Sequence, residues 1–133
     1  MASPYQWPWV DPVSVLTAAV DSTPTIIYGD QVTSFIDSVH LCNTTDQDIY
    51  VDIKILAERE EDEGFVTKEP YLARRLFIPK FGRIEVMGMP KTMQSGDLMY
   101  ANSDFSGNFF DSHISARRLL ETAGVLNARN ARK

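Results

Sequence analysis

Residues 39–56 run Val39-His40-Leu41-Cys42-Asn43-Thr44-Thr45-Asp46-Gln47-Asp48-Ile49-Tyr50-Val51-Asp52-Ile53-Lys54-Ile55-Leu56. The second half decides the fold. Ile49, Val51, Ile53 and Ile55 fall on one parity, and Tyr50, Asp52 and Lys54 on the other. A period of two with one apolar side is a half-buried antiparallel strand. A slip of one residue would bury Asp52 and Lys54, so the register is firmly set. Asn43-Thr44-Thr45-Asp46 is turn material. Before it, Phe35, Val39 and Leu41 share a parity with Asp37, and His40 and Cys42 take the opposite face.

Working outward, residues 72–99 repeat the layout. Leu76 and Ile78 share a face with Leu72 and Arg74, and Arg74 and Arg75 point to opposite faces. Pro79-Lys80-Phe81-Gly82 is a turn in which Gly82 supplies a positive φ. Ile84 and Val86 then alternate with Arg83, Glu85 and Met87, residues 89–96 form a loop, and Gly96-Asp97 opens a strand through Leu98 and Tyr100. Thr25 to Tyr28 is β-branched and aromatic, and residues 109–116 make the last strand, with Phe110 and Ile114 inward. Residues 58–64, six charged side chains and a glycine, read as a solvated loop without the alternation of a Ca²⁺ loop. Residues 13–20 fit a short helix or an edge strand, which periodicity does not separate. Ser115 to Ala123 holds good helix formers before Gly124.

About six to eight short strands between Gly, Pro and Asn turns give an all-β class. The expected architecture is a single antiparallel β-sandwich, Ig-like or jelly-roll-like. Residues 1–24 are expected as an extended Pro/Trp-rich arm, 25–118 as the sandwich, and 119–133 as a basic tail with a short helix. Pro4, Pro8 and Pro12 oppose helix and central strand. The arm holds Tyr5 and both tryptophans, Trp7 and Trp9. Each indole can bury ~200 Å², so the arm either folds back over its own domain or docks on a neighbouring subunit.

The chain has 133 residues and a net charge of −5, which argues against general nucleic-acid binding. Charge is uneven: residues 112–133 hold Arg117, Arg118, Arg129, Arg132 and Lys133 against Glu121. An acidic body with a basic end can dock on copies of itself or on an acidic neighbour. No apolar run approaches the ~20 residues of a membrane span. The start lacks the basic and apolar regions of a signal peptide, so synthesis and assembly are expected in a cytoplasm. The lone Cys42 excludes an internal disulfide and a thiolate zinc cluster, and its flanks suggest a buried structural thiol.

Chemistry is hard to find. His40 and His113 are the only histidines, and a site with Asp37 or Asp111 lacks metal-ligand spacing. No nucleophile elbow or phosphate-cradling glycine loop occurs. Asp97 after Gly96 reads as a turn residue capping backbone more readily than as a ligand. No catalytic residue, cofactor or metal site is expected.

The order of turns completes the reading. Asn43-Thr44-Thr45 precedes the alternating strand. Tyr71-Leu72-Ala73, Phe77-Ile78-Pro79, Ser95-Gly96-Asp97-Leu98-Met99-Tyr100-Ala101 and His113-Ile114-Ser115 follow. Over residues 36–118 this order resembles the small β-sandwich virion proteins of tailed bacteriophages. The resemblance implies a non-enzymatic structural subunit used in many copies. The first expected place is the neck or collar that connects head to tail; a capsid decoration protein or a tail or baseplate component is the alternative. Its partners would be copies of itself and other virion proteins, with no specific nucleic acid and no membrane. It would be built in the host cytoplasm and reside in the virion. Tyr5, Trp7, Trp9, Arg117, Arg118 and Arg129 are the expected interface. From another class, Tyr50 or Phe105 near Asp46 or Asp104 suggests a carbohydrate platform.

Overall fold

The strand with the cleanest alternation lies in the interior of its sheet. A computed structural model describes residues 10–61, 64–86 and 91–119. Within it β1 is Val10–Val20, β2 Thr25–Gly29, β3 Ser34–Asn43, β4 Ile49–Glu61 and β5 Gly64–Lys68. β6 is Tyr71–Ile78, β7 Arg83–Glu85, β8 Lys91–Met93, β9 Leu98–Ser103 and β10 Phe110–Leu119. All pairings are antiparallel. One sheet runs β1-β10-β3, with β7 and β8 both on the far edge of β3; the other runs β2-β9-β4, with β6 and β5 both on β4.

The core lies between these two sheets. Ile49, Val51, Ile53 and Ile55 from β4 pack in one buried cluster with Met99 and Ala101 from β9, Ile36, Val39 and Leu41 from β3, and Phe110 and Ile114 from β10. Each such aliphatic side chain contributes about 1.5–3 kcal/mol when removed from water. The all-β sandwich and the inward set of β4 agree with the sequence.

Long-range pairing overrides several local signals. Over Ser115 to Leu119 the expected helix gives way to strand, paired with β1 on one side and, to Arg118, with β3 on the other; the rest of the expected helical tail, 120–133, lies outside the described residues. A residue hydrogen-bonded on both sides is not free to follow its helix propensity. The arm expected over 1–24 is strand from Val10 onward, with β1 paired along β10. The charged stretch from Glu58 is a hairpin rather than a loop, with Glu58 opposite Thr67 and Glu61 opposite Gly64. Inside the expected 89–96 loop, β8 pairs with β3 and buries Met93.

Two bulges correct the facing. In β3 the register shifts opposite Ser115 and Ala116, so Ser34 and Ile36 point inward with Val39 and Leu41, and Phe35 points out. In β6 the register shifts between Leu76 and Ala73, with Arg75 at φ 50. Arg74 and Arg75 are therefore both exposed, and the Asp52 side chain accepts the Arg75 backbone N–H at 2.7 Å. An extra residue that breaks alternation is what a bulge does. In the 79–82 turn the positive φ belongs to Phe81, at 53°, and not to Gly82. Glycine serves there by size: a Cβ would sit 2.7 Å from Pro79 Cγ and 2.9 Å from its carbonyl oxygen.

The register also gives the body two poles. Val20, Asn43, Ile49, Ile78, Ser103 and Phe110 lie at one end. Val10, Ser34, Glu61 and Leu119 lie towards the other. Both ends of the described chain therefore leave from the second pole, beside the acidic β4–β5 hairpin.

Candidate interaction surface

The ion pairs show which charges the fold already uses. Arg59 donates to Asp97 through both terminal nitrogens, at 2.8 and 2.9 Å. Asp97 also accepts the Gln94 backbone N–H at 3.0 Å, which makes it the turn cap read from sequence. Its carboxyl is held below the usual range, first by the Arg59 hydrogen bonds, against the opposing effect of burial. The Arg59 guanidinium is correspondingly pushed up by Asp97. The acidic hairpin is thus tied to the sandwich by its single arginine.

Arg117 and Arg118, expected to meet an acidic neighbour, have acids of their own chain. Arg117 meets Asp37 at 2.9 Å and lies over the Phe35 ring at 5.4 Å. Arg118 Nε lies 3.2 Å from Asp30, without the alignment of a hydrogen bond. Tyr5, Trp7, Trp9 and Arg129 lie outside the described residues.

His40 and His113 are brought face to face across β3 and β10, with Cys42 opposite Asp111 one step along. Sequence spacing did not show this, because it depends on the pairing of residues seventy-three apart. The His113 ring is bonded to Ser14 Oγ at 2.6 Å. Among the described residues no three His, Cys, Asp or Glu side chains are placed to hold a metal ion. Cys42 is half-buried, less sheltered than the expected core thiol. The groove beside these residues is open and shallow, lined by Leu16, His40, Cys42, Arg83, Asp111 and His113.

Tyr50, one proposed carbohydrate platform, packs tilted against Phe77 at 5.5 Å, and the Arg75 guanidinium covers its ring at 4.8 Å. Lys54 and Arg74 approach the Tyr71 ring at 4.9 and 5.0 Å. At Tyr50 a cation thus occupies ring surface that a sugar would need, whereas the Phe105 ring is exposed.

Several surfaces remain uncovered among the described residues, the outer edge of β2 and exposed Ile26 and Phe77 included; two stand out. The first is the outer edge of β1, with which no strand pairs among the described residues. Asp11 and Pro12 guard its start, and a bulge with Ala19 at φ 55 guards its end. Between them Val13-Ser14-Val15-Leu16-Thr17 is uncharged and rich in strand formers, and Leu16 is 70% exposed. At ~3.4 Å per residue this open stretch spans about 17 Å, the length of an ordinary strand. The second is the pole of Asn43. There Phe81, Phe105 and Phe109 are 68, 69 and 41% exposed. Asn43 organises this end: its side-chain amide donates to the carbonyls of Gln47, Ile78 and Pro79, and its oxygen accepts from Thr45. The backbone of Thr44 donates to Phe109, and that of Phe81 to Thr45. The three phenylalanines therefore stand on adjacent loops.

Neither a protein-family model nor a curated protein matches the chain. Among solved structures it is similar to a chain from Bacillus endospore appendages, described as a family of disulfide-linked pili. The TM-score is 0.45 and the identity 14%, over 84% of this chain and 88% of that one. A likeness so distant carries no functional inference.

Proposed function

We propose that this chain is a non-enzymatic structural subunit that assembles in many copies. The observation that carries the reading is the open β1 edge. An exposed strand edge presents unpaired N–H and C=O groups and templates pairing with another chain, and proteins blunt such edges with charge, proline or bulges. Here those devices bracket β1 and leave Val13 to Thr17 unblunted, with Leu16 beside them. Main-chain bonding along that stretch gives affinity, and the side chains alternating along it give selectivity.

The placement follows from the order of turns over residues 36–118 and its resemblance to tailed-phage virion proteins. In this proposal the subunit sits at the neck or collar, among copies of itself and other virion proteins. A capsid decoration role is the alternative, and copy number separates them. A neck uses one or two rings, whereas a capsid surface needs hundreds of copies.

Leu16→Lys puts a charge on the open edge without touching the core. It is expected to leave thermal stability within ±0.5 kcal/mol, as surface changes do, and to weaken concentration-dependent association in sedimentation. Association that persists unchanged in a folded Leu16→Lys protein overturns the role of this edge.

A further inference from the structure

The two poles are unlike, and the chain that leaves one is chemically matched to the other. At the first pole stand Phe81, Phe105 and Phe109, with Asp46, Asp48, Asp104 and Lys80 on the loops of that end. At the second pole β1 begins at Val10, opposite Leu119 of β10. The nine residues before Val10 contain Tyr5, Trp7 and Trp9, and the fourteen after Leu119 contain Arg129, Arg132 and Lys133 against Glu121. An aromatic segment thus leaves from the end opposite the exposed phenylalanines, and the basic segment leaves beside the acidic β4–β5 hairpin of its own chain.

Reach decides whether one chain can satisfy itself. The eleven residues of β1 separate the poles by about 33 Å at ~3.3 Å per residue. Trp7 is three residues ahead of Val10 and Tyr5 five, so at ~3.5 Å per residue their Cα atoms extend no more than about 11 and 18 Å from it. Neither ring reaches its own phenylalanine pole. The nearer groove lined by Val10, Phe35, Arg117 and Leu119 lies within reach of Trp9, but it leaves Phe81, Phe105 and Phe109 uncovered.

We infer that the aromatic arm of one copy docks on the Phe81–Phe105–Phe109 pole of the next. This deepens the multi-copy reading and rests on it. The contact joins two different surfaces, so it is head-to-tail and propagates into a ring or a filament. Aromatic side chains on both sides supply the anchors that such interfaces use.

The chain carries its own probe, because both of its tryptophans lie in the arm. Tryptophan emission of the full chain is recorded over a concentration series, beside its mass by sedimentation, for the native protein and for Phe81→Ser/Phe105→Ser. The substituted side chains are largely exposed, so the variant keeps its fold by circular dichroism. The expected result is emission that moves to the blue as mass rises, and emission that stays red in the variant. Blue emission already present in the monomer overturns the inference, since the arm then covers its own domain. So does a blue shift that survives in the variant, or mass that rises while emission stays red. In that last case the multi-copy reading stands without the arm; a mass that never rises removes both.

Discussion

At the residue scale, two buried polar side chains do most of the organising. Asn43, 1% exposed, satisfies three carbonyls from two turns and receives Thr45. Asn43→Ala strands those groups, and at about 1–3 kcal/mol for each buried unsatisfied group a total loss of about 3 kcal/mol is expected, read as a lower urea midpoint. Asp97 acts with Arg59, and the sign of its pH effect follows from its lowered pKa. A carboxylate depressed on folding stabilises above its unfolded pKa of ~3.9 and loses that stabilisation as pH falls through the lower folded value. Asp97→Asn is therefore expected to lower stability at neutral pH and to flatten its decline below about pH 4, measured as urea midpoints across the acid range. The Asp97 turn role was legible beside Gly96; its Arg59 partner was not, because Arg59 sat in a run that looked like solvent-facing loop. Tyr28 shows the same limit. Burial raises its hydroxyl pKa, with the bond to Ser34 opposing, and nothing local to Tyr28 announces that bond.

At the element scale, alternation was readable wherever one register held for a whole strand. β4 is the example: its four inward residues are each at most 4% exposed. Bulges defeated the same rule in β3 and β6, because an inserted residue reverses parity without a sequence mark. The end of β10 was misread for a different reason, and residues 13–20 were left open between a short helix and the edge strand that the structure shows. Their strand state comes from partners about a hundred residues away, whereas proline and helix formers are local. The 79–82 turn was legible as a turn, but the glycine role was steric. Gly82→Ala pushes a methyl against Pro79, and a cost of about 1–3 kcal/mol is expected, as for other overpacking; differential scanning calorimetry would show the fall in Tm.

At the scale of the whole molecule, a closed core sits between an open sheet edge, an aromatic pole and a pole from which both chain ends leave. Composition pointed away from catalysis and the arm pointed towards a partner, but neither showed where a partner binds. That required the register, which sets the poles and so the reach of the arm. Removing residues 1–9 is expected to leave the melting temperature nearly unchanged while weakening association; a collapse of folding would assign the arm to its own core. The most direct measurement is the mass of the full chain by sedimentation equilibrium as concentration rises. Multi-copy assembly predicts masses climbing to multiples of 15.0 kDa, with Leu16→Lys associating more weakly. A mass fixed at 15.0 kDa at every concentration would contradict it.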